Sequence, residues 1–282
     1  MLIIRTISEL VAWRKDCFQQ NKSVGFVPTM GALHDGHISL LTRALQENDQ
    51  AIVSIFVNPT QFNNPTDLEK YPRTEDIDIA LLEANGCTAV FIPNVETMYP
   101  ATSEVQITFG YLEEIMEGAF RPGHFQGVGL IVAKLFNRVL PTRAYFGQKD
   151  LQQVAVIHRL IEDLSFPIEL IVCPTIREAT GLAMSSRNQR LSEEGKQKAA
   201  QIYAFISYLA SEYTTGLSWD ACLQKAKNKY LVDVPELTLE YVELVEYPSL
   251  QQVNSLFQEY QKYAICFAGY LEEVRLIDNI VF

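Results

Sequence analysis

The chain has 282 residues, a formal net charge of −11, 48% apolar residues and 20% charged residues. That composition suits a globular protein of one large or two ordinary domains, and it excludes a broad basic surface for nucleic acid or anionic lipid. No stretch approaches the roughly 18 unbroken apolar residues that a membrane span requires.

The first run, Met1–Arg5, is short and carries no basic leader, so no signal peptide is expected. Cys17, Cys87, Cys173, Cys222 and Cys266 are scattered without a C-x-x-C pair. They read as buried or free thiols of a reducing cytoplasm rather than as a disulfide frame or a zinc site.

Taken in order, Ile3-Ile4 predicts a short strand and the segment from about Ser8 to Gln20 a helix. Val24–Thr29 predicts a strand and Ile38–Glu47 an amphipathic helix. Ala51–Val57 is an apolar run typical of a strand buried on both faces. Asp76–Asn85 is helical in pattern, with Gly86 as its stop. Ala89–Ile92 is a strand closed by Pro93. Then come a helix over Val128–Val139, a strand over Ala144–Phe146, a helix over Leu151–Leu164 and a strand over Ile168–Cys173. Strands alternating with crossover helices predict an α/β fold with a Rossmann-like parallel sheet. Beyond Pro174 the pattern changes. One long helix is expected over Ser192–Tyr213 and another over Ser218–Tyr230, followed by strands at Leu237–Leu244, Ala264–Ala268 and Val274–Ile277. The expected domains are therefore 1–175, the parallel-sheet domain, and 176–282, a smaller α+β domain.

Several junctions carry chemistry. Pro28-Thr29-Met30-Gly31-Ala32-Leu33-His34-Asp35-Gly36-His37 joins a strand to a helix. The open N–H groups at such a helix start favour phosphate, and two imidazoles can donate to the same anion. The bland reading of a lone H-x-G-H is a turn with two solvated histidines; its place after an early α/β strand favours function. Zinc is weaker, because no third ligand has matching spacing. Asn58 and Gln61 follow the apolar strand Ala51–Val57, where amides can read a hydroxyl and a carboxylate; an Asn-Pro turn with a solvated Gln is the plain alternative. Gly147-Gln148-Lys149-Asp150 forms a second strand–helix junction. Lys149 there opposes the helix dipole, which favours an anion partner, while Asp150 also fits a cap and Gln153 lies one turn on.

Arg121-Pro122-Gly123-His124-Phe125-Gln126-Gly127-Val128-Gly129 reads as a flexible connection or a substrate-closing loop, with Arg121 a candidate carboxylate clamp. Met184-Ser185-Ser186-Arg187-Asn188 offers hydroxyls and a guanidinium to a triphosphate, although a plain linker would look similar. Asp76 and Asp78 could hold Mg²⁺, or could be helix N-terminal acids stabilised by the dipole.

These segments stand in order with Ser54-Ile55-Phe56-Val57-Asn58-Pro59-Thr60-Gln61-Phe62 and Tyr71-Pro72-Arg73-Thr74. From about Val24 to Leu191 the set closely resembles the pantothenate synthetase (pantoate–β-alanine ligase) family. A lone H-x-G-H is shared by many nucleotidylyl transferases and class I aminoacyl-tRNA synthetases; the ordered set is far more specific. The resemblance implies a nucleotidyltransferase domain with a C-terminal lid, a cytoplasmic homodimer, and ATP, Mg²⁺, pantoate and β-alanine as ligands in pantothenate and coenzyme A synthesis. It implies that Met30, Gly31, Ala32, Leu33, His34, Asp35, Gly36 and His37 bind ATP, together with Gly147, Gln148, Lys149, Asp150, Ile176, Met184, Ser185, Ser186 and Arg187. It places Gln61 and Gln153 on pantoate, Gln61 also near β-alanine, His37 as the catalytic acid and Asp78 as a possible metal ligand. Asp35 stands where the family commonly has Glu, Ile176 where Val is common, and Ile77 where some members carry an extra Asp.

The expected reaction is attack of pantoate's carboxylate on the α-phosphorus of ATP, then attack of β-alanine's amine on the acyl adenylate. No protein nucleophile is needed, so positioning and charge stabilisation carry catalysis. A dinucleotide-forming adenylyltransferase would need an acceptor phosphate site. A tRNA-charging enzyme is disfavoured by the acidic balance. A non-catalytic ATP sensor could keep the phosphate loops yet lose the amide pocket.

Overall fold

The run Val24–Thr29 forms β2 and lies between β3 (Gln50–Ile55) and β5 (Arg143–Gly147), parallel to both. The computed structural model describes every residue except Asn64, Asp233 and Asn254. With β1 (Leu2–Ile4), β4 (Ala89–Phe91) and β6 (Glu169–Cys173), these strands make a six-stranded sheet of order β1-β4-β3-β2-β5-β6. Each of its pairings is parallel. β3 is apolar at its centre, where both faces are covered; Ala51, Ile52 and Val53 are buried. The expected α/β class with a parallel sheet is what the chain forms.

Helices Ile7–Gln19, Asp35–Glu47, Glu75–Ala84, His124–Val139 and Leu151–Asp163 alternate with these strands. Thr6 and Glu9 close a capping box on the first of them. The helix Asp35–Glu47 buries Leu40, Leu41 and Ala44 in a cluster with Val27, Val53, Val90 and Tyr145. From β2 the chain builds outward through β3 and β4, then crosses to β5 on the other side. The β2–β5 boundary is thus a topological switch point, where ligands of open parallel sheets bind beyond the strand C-termini.

The chain divides into two compact units, 1–147 with 156–173, and 148–155 with 174–282. The second holds an antiparallel sheet of β7 (Thr238–Glu246), β8 (Tyr263–Leu271) and β9 (Val274–Val281). Its core includes Phe205, Ile206, Leu209, Ile265 and Phe267 from the helix Gln201–Tyr213 and β8. Tyr213 is fully buried and meets Trp219, Phe257, Tyr263 and Phe282 edge-on.

Two expectations change. The pattern over Ser192–Tyr213 predicts one helix, but the chain forms Glu193–Ala199 and Gln201–Tyr213. The N–H of Ala200 still bonds the Lys196 carbonyl at 3.1 Å and its backbone stays in the right-handed helical region, so the two helices meet at a one-residue break. The segment from Arg121 to Gly129 is not a free loop, since the helix begins at His124. Its glycines conceal the helical period; Gly127 serves close packing, as described below.

Candidate active site

β2 ends at Thr29, whose hydroxyl donates to the Ser54 carbonyl at 2.7 Å and accepts the N–H of Gly31. Gly31 and Ala32 then take left-handed backbones, with φ of 81° and 50°. For Ala32 this is a strained conformation, worth roughly 1–2 kcal/mol in an L-residue. Asp78 holds it in place. Its Oδ2 accepts the N–H of Ala32 at 2.9 Å, and its Oδ1 accepts the N–H of Leu33 at 2.8 Å. Thr74 adds a third hydrogen bond to Oδ2 at 3.2 Å. Asp78 is 1% exposed.

That environment bears on the metal expectation. Both oxygens of Asp78 already take hydrogens from the protein, so the carboxylate is committed to holding the loop. No group of three or more His, Cys, Asp or Glu side chains able to hold a metal occurs among the described residues. Asp78 shapes the loop, a role that its position in a helix first turn did not reveal.

His34 occupies the N-cap of the helix Asp35–Glu47. Its Nδ1 accepts the N–H of Gly36 at 3.1 Å, and Nδ1 of His37 accepts the N–H of His34 at 3.3 Å. Two histidines thus reproduce a capping box normally built from hydroxyl and carboxylate side chains. A ring nitrogen that accepts carries no proton, so each neutral imidazole bears its hydrogen on Nε2. The rings lie 4.2 Å apart, centroid to centroid. The helix starts earlier than its apolar pattern because of this cap.

Next to this loop, the amide of Gln61 lies 3.0 Å from Sδ of Met30. Asn58 orients Gln61. Nδ2 of Asn58 donates to Oε1 of Gln61 at 3.1 Å and to the Gly127 carbonyl at 3.2 Å, and Oδ1 accepts from the hydroxyls of Tyr99 and Thr60. Asn58 is 1% exposed and its amide is engaged at both ends. It therefore positions Gln61 rather than reading a substrate itself.

Arg121 is engaged in a similar way. Its guanidinium lies 3.4 Å from Glu117 and donates to Nε2 of His124 at 3.1 Å. Nδ1 of His124, which then carries the proton, donates to the Gln61 carbonyl at 2.8 Å. His124 is thus a buried link between Arg121 and Gln61. A single His after a Pro-Gly pair gives no sequence signal for that role.

Gly147 ends β5 in the first unit, and the second unit carries the other expected residues. Gln148–Asp150 form one tight turn, and Nζ of Lys149 lies 3.7 Å from Asp150. Gln153 is half-buried, in the first turn of the helix Leu151–Asp163. Ile176 and Met184 face each other through a backbone bond of 2.9 Å, next to the bridge between Arg177 and Ala183. Ser185 caps the turn Ser186–Arg190 by accepting the N–H of Arg187. Asn188 braces that turn from beneath, donating to Glu178 and to the Ala183 carbonyl at 3.0 Å each. Two residues not singled out by sequence, Asp278 and Asn279, bind these loops. Arg177 forms a two-pronged pair with Asp278 at 2.6 and 2.9 Å, its guanidinium stacked on Tyr203. Asn279 donates to the carbonyls of Gln148 and Lys149.

Comparison with known proteins covers nearly the whole chain. The family described as pantoate-beta-alanine ligase matches residues 2–281. A pantothenate synthetase from Cytophaga hutchinsonii is 48% identical over 281 residues, covering 100% of this chain and 99% of that protein. The crystal structure of pantothenate synthetase from Thermus thermophilus is 42% identical, with a TM-score of 0.90 and coverage of 99% of both chains. A pantoate-beta-alanine ligase from Francisella tularensis, crystallised in complex with beta-gamma ATP and beta-alanine, is 37% identical. Its TM-score is 0.82, with coverage of 100% of this chain and 97% of that one.

Proposed function

The chain belongs to the pantoate-beta-alanine ligase family and joins pantoate to β-alanine with ATP, and we propose that it does so through a pantoyl adenylate. The observation that carries this reading is the histidine pair. Nδ1 of His34 and of His37 each accept a backbone N–H, which leaves the ring proton on Nε2 as a hydrogen-bond donor. Donors fixed at a helix start, beside a topological switch point, suit an anion that gains charge during reaction.

A carboxylate oxygen of pantoate attacks the α-phosphorus. The bond from that phosphorus to the bridging oxygen breaks, and its electron pair leaves on pyrophosphate. The amine of β-alanine then attacks the acyl carbon, loses a proton and expels AMP. The substrate supplies the nucleophile in each step. The protein's part is orientation and stabilisation of charge.

In this reading Met30–His37, Gly147–Asp150, Ile176 and Met184–Arg187 bind ATP, with His37 donating to the reacting phosphates. Gln61 and Gln153 bind pantoate, and Gln61 also lies near β-alanine. Asn58, His124 and Arg121 set the position of Gln61. Mg²⁺ belongs to the reading as the companion of the triphosphate, with Asp78 reserved for the loop. A cytoplasmic homodimer is part of the same proposal. Five buried free thiols support a reducing setting, and sedimentation velocity tests the dimer.

Isotope exchange between pyrophosphate and ATP tests the adenylate. Exchange is expected only when pantoate is present, and without any need for β-alanine. Exchange that ignores pantoate, or that requires β-alanine, overturns the proposal.

A further inference from the structure

The side chain of Asn279, on β9, is 3% exposed and is committed to one target. Its Nδ2 hydrogens go to two successive carbonyls, Gln148 at 2.9 Å and Lys149 at 2.8 Å. Its Oδ1 accepts from Nε2 of Gln148 at 3.3 Å. The tight turn that carries Lys149 therefore hangs on one amide from a strand more than a hundred residues later in the chain.

Asn279 is itself braced. Its N–H donates to Oδ1 of Asp278 at 2.8 Å, and its carbonyl accepts from Arg177 at 3.3 Å. Arg177 also holds Asp278 with both prongs and donates to the Gly181 carbonyl at 3.2 Å. Arg177 follows Ile176 directly and pairs with Ala183, the neighbour of Met184. One dipeptide on β9 thus ties the Lys149 turn to the 176–184 hairpin.

We infer that Asn279 is a positioning residue for ATP, acting through the backbone of Gln148 and Lys149. The inference rests on the reading of Lys149 as an ATP-binding group. A lysine that must meet one phosphate loses most of its effect when its backbone shifts, because positioning errors near 1 Å are costly. Asn279 supplies two of the bonds that prevent such a shift.

The test uses the full-length protein with Asn279→Ala, Asn279→Ser, Lys149→Ala and the double variant Lys149→Ala/Asn279→Ala. Each is measured for KM of ATP, KM of pantoate and kcat. Loss of both donors in Asn279→Ala is expected to raise the KM of ATP about tenfold or more, leaving that of pantoate within about twofold. Asn279→Ser keeps one donor and is expected to fall between Asn279→Ala and the parent. The double variant is expected to be little worse than Lys149→Ala, because Asn279 acts through Lys149. If Lys149→Ala leaves ATP use intact, the reading of Lys149 fails. If Lys149→Ala impairs ATP use while folded Asn279→Ala and Asn279→Ser keep the parent's KM for ATP, the inference about Asn279 fails. Equal changes in both KM values, or fully additive effects in the double variant, also overturn it by showing a general structural role.

Discussion

A Cβ on Gly127 would stand 2.2 Å from the carbonyl oxygen of Thr60. The helix His124–Val139 meets the turn Pro59–Gln61 backbone to backbone at this point, and the Gly127 carbonyl takes a hydrogen bond from Asn58. Any side chain at 127 must push the turn away, and with it Gln61.

Gly127→Ala is therefore expected to act on both stability and substrate use. Overpacking against backbone costs about 1–3 kcal/mol. Urea denaturation is expected to show that loss, and the KM of pantoate is expected to rise more than that of ATP. A variant with parental stability and parental pantoate KM would show that the contact gives way freely.

Asp78→Asn tests loop shaping against metal binding. The amide keeps one acceptor for the N–H groups of Ala32 and Leu33 and turns an N–H₂ toward the other. An unpaired buried N–H costs about 1–3 kcal/mol. Lower thermal stability and weaker ATP binding are expected, with the Mg²⁺ concentration for half-maximal activity unchanged. A large shift in that Mg²⁺ midpoint at parental stability would make Asp78 a metal ligand.

His37→Asn separates the two ends of the imidazole. Asparagine can still accept near the position of Nδ1, where the N–H of His34 arrives, but it has no donor at the reach of Nε2. The helix start is expected to survive, with thermal stability near that of the parent. Adenylate formation in a single turnover is expected to slow by roughly 10²-fold, as for lost transition-state donors. Parental single-turnover rates would remove His37 from the chemistry.

The cysteines give a check independent of activity. All five are buried and free. Burial pushes the Cys87 thiol up to about 11, and it also raises Cys17, Cys173 and Cys222. Thiolate is scarce at pH 8 for such groups, and access is closed. A disulfide reagent is expected to label the native protein slowly and all five thiols at once in denaturant. Rapid labelling of the native protein would contradict the packing described here.

Much of this architecture was legible in the residues. Val24–Thr29 and the apolar run after Ala51 announce buried parallel strands, and His34-Asp35-Gly36-His37 stands where a strand passes into a helix. What escaped was the function of residues that touch other residues. Asp78 looks like any acid in a first helical turn. Asn58 looks like a turn residue that could face a substrate. The glycines at 127 and 129 look like flexibility, yet they lie in a helix. Each role depends on a partner far away in sequence, and periodicity carries only local information.

Asp78 also bears on how far the histidine motif can be transplanted. The left-handed turn at Gly31 and Ala32 is not encoded by the ten residues from Pro28 to His37 alone. A peptide or a grafted loop with those ten residues would lack the carboxylate that collects the N–H groups of Ala32 and Leu33. The smallest portable piece of this site is therefore discontinuous, a loop and a helix start some forty residues downstream. A search for the motif that ignores an acid at that distance would gather loops with the right letters and the wrong shape.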